Sequence, residues 1–234
     1  MKENLYLENL YNSSKPLIIY KVKGGYDLFT DFSKKIILTK KNINQFFNKL
    51  KYKKKNRFND LYIGFFGYEI LCSLIGVKLS KQKSFSFPKG IFYKPETLVR
   101  LRKKISIKSS KKNYKNLFEK KFYNHSKILS PFKVNINLNQ YKKIFNKFSK
   151  KIREGKTYQI KVCTKYKNKS LIDPVILFWK LMETNSSPES FMIRDKGFSI
   201  VSCSPETLID KKGLIIKTKP IAGTLRKSNS LNKN

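Results

Sequence analysis

The sequence predicts an α+β protein in which mostly antiparallel sheets pack against helices. Three observations support this fold class. Near the carboxyl end, two apolar runs separated by a glycine-containing turn form one hairpin pattern, and a second hairpin pattern follows at once. An amphipathic helical stripe and a second, capped helix precede these hairpins. Helices followed by a meander of four strands indicate antiparallel rather than parallel pairing.

The first part of the chain, residues 1–130, mixes strand and helix patterns. Residues 42–50 place apolar side chains at helical spacing, and residues 68–75 are compatible with either helix or strand. Residues 106–130 are rich in lysine and predict a surface connector or weak helix. The predicted strands of this part are 16–22, 34–38, 62–66 and 97–101.

The second part, residues 131–234, is more regular. Residues 137–154 carry an amphipathic stripe whose aromatic side chains we expect to pack in the core, and Gly155 is a suitable helix end. Asp173-Pro174 predicts the start of another helix, which ends before Asn185. The predicted strands are 158–163, 191–194, 198–203, 207–209 and 214–219.

Two short motifs near the carboxyl end have the chemistry of an anion site. The run 214–219 leads into Pro220-Ile-Ala-Gly-Thr224, and Ser204-Pro205-Glu206 ends the preceding hairpin. Proline ends a strand ladder, and glycine lets the backbone approach a ligand closely. Thr224 adds a hydroxyl donor. Taken alone, however, the motif Pro220–Thr224 is most simply a turn after a strand.

Together with three further segments, these motifs resemble those of the chorismate-utilising enzymes. That family includes anthranilate synthase component I, the aminodeoxychorismate synthase large subunit, and the isochorismate and salicylate synthases. The further segments, in the family's order, are Gly64–Glu69, Ile152–Ile160 and Asn185–Pro188. The resemblance is dense between residues 137 and 226 and sparse before them.

The resemblance implies a site for chorismate, which carries two carboxylates, an enolpyruvyl ether and a ring hydroxyl. Matched by motif, Ala222, Gly223 and Thr224 would line the substrate pocket, and Glu206 and Thr224 would be catalytic. Residues 1–130 would be the amino-terminal region of a synthase large subunit, and residues 131–234 the first half of its chorismate-binding catalytic domain. Outside the resemblance, Glu206 would be read as an exposed turn carboxylate.

The resemblance also implies a regulatory segment. Asn185, Ser187 and Pro188 match the family's inhibitor-binding residues. Glu189 and Ser190 replace the aromatic residue and methionine that usually follow, which departs from the pattern for tryptophan feedback.

Position 222 bears on the branch of the family. Many aminodeoxychorismate synthases have a nucleophilic lysine where this chain has Ala222, so direct attack by ammonia is favoured here, as in anthranilate synthase. The short amino-terminal part favours aminodeoxychorismate synthase instead. We prefer the large subunit of anthranilate synthase, with chorismate and a glutamine amidotransferase subunit as partners, and keep aminodeoxychorismate synthase as the alternative.

The family's Mg²⁺ ligands and catalytic histidine follow the last motif in sequence, and we expect no metal ligands in this chain. We therefore expect the chain to be an amino-terminal fragment of a longer enzyme, without turnover by itself. His125 precedes the motifs and does not match the catalytic histidine.

Composition restricts the remaining alternatives. The formal charge is +37, which raises the alternative of a basic nucleic-acid-binding module. Lysine is nevertheless spread over all segments and arginine is scarce, so a nucleic-acid partner is not expected. Three distant cysteines and one histidine do not predict a zinc site. Without a long apolar run or a signal-peptide core, we expect a cytoplasmic protein without a membrane partner.

Overall fold

The computed structural model describes residues 2–50, 58–78, 87–112, 127–221 and 223. The described residues form two compact units. The main unit consists of residues up to 112 together with those from 174 onwards, and the small unit consists of residues 127–173. The functional division at residue 130 stays a prediction. No helix within the described residues is both long and apolar enough to cross a membrane.

The helices are α1 (Lys2–Asn12), α2 (Ile43–Leu50), α3 (Tyr68–Leu74), α4 (Leu138–Arg153) and α5 (Pro174–Thr184). The longer strands are β1 (Leu17–Val22), β2 (Gly25–Ile37), β3 (Ile63–Phe66), β4 (Gly90–Leu101) and β5 (Ile105–Ser109). Four two-residue strands follow, β6 (Lys127–Ile128), β7 (Lys133–Val134), β8 (Tyr166–Lys167) and β9 (Ser170–Leu171). The last strands are β10 (Glu189–Asp195), β11 (Phe198–Ser204), β12 (Thr207–Lys212) and β13 (Ile215–Lys219).

The main unit contains a seven-stranded antiparallel sheet. Its order is β11-β10-β1-β2-β4-β3, and β5 also pairs with β4. The long strand β4 serves two partners, because β3 pairs with its first residues and β5 with its last. The antiparallel sheet with packed helices confirms the predicted α+β class.

Helices α1 and α5 cover one face of this sheet. Leu17 and Ile19 of β1 point to that face, while Ile18 between them points to the other, as the two-residue period of a strand requires. On the helical face, Leu10 and Phe178 are completely buried. A third cluster forms where α2 and α3 pack beside β4.

Arg194 of β10 forms hydrogen bonds with the end of α1. Its guanidinium is almost fully buried and donates hydrogen bonds to the backbone carbonyls of Leu10, Tyr11 and Lys15, with N–O distances of 2.9, 2.8 and 3.1 Å. The carbonyls at the end of a helix have no partners within the helix, and they carry the negative end of its dipole. A buried arginine is therefore well placed there.

The small unit contains α4 and two short antiparallel ladders, β6 with β9 and β7 with β8. Asn137 and Gln140 form a reciprocal capping box at the start of α4, and Gly155 follows its end at a φ of +67°. The predicted bounds of this helix are confirmed. Its aromatic residues do not enter a core, because no residue of α4 is buried.

Several sequence predictions need correction. Residues 158–163 have no strand pairing, and residues 106–109 of the predicted connector belong to β5. Residues 113–126 of that connector lie outside the described residues. The predicted meander of four strands is split: β10 and β11 join the large sheet through β1, whereas β12 and β13 form a separate two-stranded sheet. Helix α1 was not predicted.

Candidate active-site groove

A groove lies on the sheet face opposite α1 and α5. Its volume is about 440 Å³. The register places Ile18 opposite Ile193 and Tyr20 opposite Phe191, so alternate residues of β1 and β10 line the same surface. The lining residues are Ile18, Tyr20, Ile63, Gly64, Glu189, Phe191, Ile193, Ser204, Glu206, Thr207, Leu208 and Ile209.

Glu189 is the hydrogen-bonding centre of this groove. Thr207 Oγ1 donates to Glu189 Oε1 at 2.6 Å, and the Tyr20 hydroxyl donates to Glu189 Oε2 at 2.7 Å. The bonds from Thr207 and then Tyr20 lower the pKa of Glu189, against the opposing effect of burial. Burial, followed by the bond to Glu189, raises the pKa of Tyr20 to about 12. Through these two hydrogen bonds, the charged carboxylate of Glu189 links its own strand β10 to β1 and β12.

Glu206, one of the two predicted catalytic residues, lies at the exposed rim of the groove, whereas the other, Thr224, lies outside the described residues. It belongs to the short connection between β11 and β12, in which the Glu206 backbone N–H donates to Ser204 Oγ at 3.4 Å. The next residue, Thr207, is held by Glu189. Glu206 therefore belongs to a segment whose following residue is held by a hydrogen bond to Glu189. At the rim, its carboxyl group could exchange a proton with a ligand bound in the groove.

The predicted regulatory residues form the connection between α5 and β10. Ser187 is buried and its hydroxyl donates to Asn185 Oδ1 at 3.0 Å, while Pro188 is exposed. Lys21 reaches this connection from β1, and its ammonium group donates to the carbonyl and the hydroxyl oxygen of Ser186, both at 2.6 Å. The structure brings these residues next to Glu189, although a regulatory role stays a prediction.

The predicted substrate-binding residues are described only in part. Ala222 and Thr224 lie outside the described residues. Gly223 is exposed, and a Cβ atom built on it would meet nothing within 4 Å. Gly223 is not among the residues that line the groove. Its role in substrate binding therefore stays a prediction.

Sequence reasoning missed the contribution of Tyr20 and Thr207. Both occupy strand positions that point into the groove, but a contact between residues 20 and 189 joins strands far apart in sequence. The only available signal was the unusual glutamate at position 189, directly after the Asn185–Pro188 motif.

The described residues include no group of three or more His, Cys, Asp or Glu side chains that could hold a metal ion. The groove itself presents only the two carboxylates of Glu189 and Glu206, and Glu189 has hydrogen-bond donors on both oxygens. These residues do not provide a site for magnesium.

Comparison with known proteins identifies the family of this chain. Residues 5–234 match the family described as chorismate binding enzyme. An anthranilate synthase component I-like protein of Synechocystis is 24% identical over 186 residues, 74% of this chain and 38% of its own length. The anthranilate synthase component 1 of Haloferax volcanii is 34% identical over 88 residues, 38% of this chain and 17% of that protein. Aminodeoxychorismate synthase component 1 of Bacillus subtilis is 32% identical over 78 residues, 33% of this chain and 17% of that protein.

A solved structure shares the fold. The crystal structure of anthranilate synthase component I from Streptococcus pneumoniae superposes with a TM-score of 0.59 and 17% identity, over 86% of this chain and 50% of that one. The chain thus spans half of that structure and a smaller share of the curated relatives. Because the family match extends over nearly all of its residues, the chain belongs to the chorismate binding enzyme family.

Proposed function

We propose that this chain forms part of the large subunit of an anthranilate synthase, which converts chorismate and ammonia into anthranilate, pyruvate and water. The observation that carries this proposal is the family match over residues 5–234, combined with Ala222 in the motif Pro220–Thr224. Without a lysine nucleophile at position 222, ammonia would add directly to the ring as the hydroxyl leaves, and pyruvate would then be eliminated.

The groove supports this proposal by its size and lining. A volume of about 440 Å³ falls in the usual range for small-molecule sites, and its aliphatic and aromatic walls suit a ring. Glu206 at the rim would act as the proton donor near the departing group. Glu189, whose two oxygens already accept hydrogen bonds, would hold the Glu206 segment in place rather than contact the substrate. The net charge of +37 would attract a dianion.

Magnesium and a glutamine amidotransferase complete the proposal. The metal would neutralise a substrate carboxylate, with ligands from outside the described residues. The amidotransferase would supply ammonia, as the component 1 names of the relatives suggest.

The second candidate is component 1 of an aminodeoxychorismate synthase. The Bacillus subtilis relative of that name, 32% identical over 78 residues, supports it, as does the short amino-terminal part. In this case ammonia would again be the nucleophile and the ring hydroxyl would leave, but the enolpyruvyl ether would remain on the product.

The test uses the protein expressed from its complete coding frame, supplied with chorismate, Mg²⁺ and ammonium chloride. Anthranilate is followed by its fluorescence and 4-amino-4-deoxychorismate by chromatography. Anthranilate as the main product supports the first proposal, whereas accumulated aminodeoxychorismate selects the second. Chorismate that is not consumed contradicts both.

The role of Glu206 is tested in the same assay. We expect Glu206→Gln to lower kcat by about 10²- to 10⁴-fold, the usual contribution of a general acid. The matched control is Glu183→Gln, because Glu183 is exposed at the end of α5 and does not line the groove. Equal activity of the two variants would remove Glu206 from the mechanism.

A further inference from the structure

A second cavity, of about 420 Å³, opens in the main unit. It lies beside the residues that lead into β1, the middle of β2 and the last residue of β10. The groove shares none of its lining residues with this cavity. The function proposed for the groove does not involve this cavity.

Two buried carboxylates anchor the cavity. The side chains of Asp31 and Asp195 are each only 3% exposed. Asp31 accepts hydrogen bonds from Lys15 Nζ at 3.1 Å and from Thr97 Oγ1 at 2.7 Å. Asp195 accepts from the ammonium group of Lys35. Buried charges are costly unless they are paired, so these contacts fix the two lysines at the cavity wall.

The backbone at Asp31 is held in an unfavourable conformation. Its φ is +50°, and among the described residues no other residue apart from glycine has a positive φ. The pairing of β2 with β4 shifts register just beyond it, between Phe32 and Lys34. Strained residues of this kind concentrate at binding and catalytic sites. In this conformation the carboxylate of Asp31 accepts a hydrogen bond from Lys15 at the cavity.

The carboxylate oxygens of the cavity already accept hydrogen bonds, whereas some lysine N–H donors remain available. Both oxygens of Asp31 accept hydrogen bonds, and Asp195 accepts from the Tyr93 hydroxyl and the Lys196 backbone N–H in addition to Lys35. An ammonium group has three N–H donors, and Lys35 uses one of them on Asp195. Lys111 adds a third ammonium at the rim. Three lysines and two aspartates line the cavity, and the Lys111 ammonium group lies 3.7 Å from the carboxylate of Glu96, which does not line it.

An apolar wall stands beside these donors. The rings of Phe32 and Tyr93 lie with their centroids 4.9 Å apart, and Pro16 also lines the cavity. The ammonium group of Lys35 is 5.9 Å from the centroid of the Tyr93 ring. Donors next to flat apolar groups match a ligand that has both an anionic end and a ring.

We propose that this cavity binds a small cyclic monocarboxylate, with its carboxylate on Lys35 and Lys111 and its ring against Pro16 and Phe32. The site is separate from the chorismate groove. Its existence does not depend on the function proposed above.

The test is a titration of the isotope-labelled 234-residue chain, followed by nuclear magnetic resonance of its backbone amides, with benzoate, benzamide and inorganic phosphate as probes. Benzamide has the same ring without the charge, and phosphate has the charge without the ring. We expect saturable benzoate shifts at Asp31, Phe32 and Asp195, and binding of the other two probes at least about tenfold weaker.

Variants separate the site from general attraction to a basic protein. Lys35→Met is expected to weaken benzoate binding by about tenfold or more. Lys111→Met tests the rim without exposing a buried carboxylate, since Lys111 makes only a 3.7 Å contact with Glu96. Lys142→Met, on exposed α4, is the matched control and should leave binding unchanged.

Four results would overturn the proposal. Benzamide or phosphate binding as strong as that of benzoate would remove the combined ring and charge requirement. Shifts confined to Tyr20, Glu189 and Thr207 would place the ligand in the groove instead. The cavity would not be a carboxylate site if benzoate binding were unchanged in both Lys111→Met and a folded Lys35→Met. The same conclusion would follow if benzoate caused no saturable shift at all.

Discussion

Replacing Thr207 by valine removes the hydroxyl group that donates to Glu189 and keeps the branched shape of the side chain. In the native chain this bond is 2.6 Å long and joins the first residue of β12 to the first residue of β10. The connection that carries Glu206 lies directly before Thr207. Loss of the bond is therefore expected to loosen the β12–β13 hairpin and the adjoining Glu206.

The expected size follows from the environment of the bond. A hydrogen bond to a charged group contributes about 1.5–3 kcal/mol when buried. Both Thr207 and Glu189 are only partly buried, so water can replace part of the lost interaction. We expect a local loss of about 1–2 kcal/mol, which corresponds to a rise of about 5- to 30-fold in hairpin opening.

Amide hydrogen exchange measures this opening residue by residue. In Thr207→Val, exchange should accelerate at the paired residues Asp210 and Lys217 of the hairpin. Exchange at Met192 and Val201, paired between β10 and β11, should stay unchanged. Faster exchange at all four positions would indicate a global loss of stability.

Two further variants distinguish the hydrogen bond from the shape of the side chain. Thr207→Ser keeps the hydroxyl and should preserve slow exchange in the hairpin, whereas Glu189→Gln weakens the acceptor and should resemble Thr207→Val. Hairpin exchange in Thr207→Val within a factor of two of the native rate would refute the reasoning.

Two other predictions concern the stability of the main unit. Arg194→Met removes the donor to the carbonyls of Leu10 and Tyr11 in the last turn of α1 and to the carbonyl of Lys15 after it, although the Leu10 carbonyl keeps the Ser13 hydroxyl as a donor. The variant should lower the free energy of unfolding in urea by about 3–5 kcal/mol. A loss below about 1 kcal/mol, as expected for exposed Arg153→Met, would contradict this prediction. The second concerns pH. Burial raises the pKa of Asp195, but the hydrogen bonds from Lys35 and Tyr93 outweigh burial, so the pKa is lowered. The hydrogen bond from Thr207 likewise lowers the pKa of Glu189. Stability from these depressed pKa values is complete above the ordinary carboxyl range and is lost as pH falls through the lowered values. The urea concentration at the unfolding midpoint should therefore fall as the pH is lowered from about 6 to about 2, and it should fall less steeply in Glu189→Gln. An equal slope in the native chain and in Glu189→Gln would show that Glu189 does not contribute.

The sequence identified the local elements whose causes are local. Helix α4 begins at a capping box and is followed by Gly155, and both features can be read from adjacent residues. The helix after Asp173-Pro174 and the hairpin turn at residues 195–197 are of the same kind. Residues 158–163 show the limit, since an apolar run alone does not determine whether a neighbouring strand is available.

The candidate site divides in the same way. Motif order placed Glu206 and the segment Asn185–Pro188 in a family, and the family match confirms that resemblance. The partners of Glu189 could not be read from the sequence, because Tyr20 comes from a strand 169 positions away. The second cavity is a similar case, since Asp31 and Asp195 meet Lys15 and Lys35 only in the folded sheet.

By itself, the sequence determined the α+β class, the ends of several helices and hairpins, and the chorismate-family motifs, because periodicity, caps and turns act over a few residues. The tertiary structure decided that β10 pairs with β1 and that β12 and β13 leave the large sheet. It also decided which carboxylates are buried and paired. These features depend on contacts between distant residues, whose pairing is fixed by the burial of both sheet faces rather than by local preference.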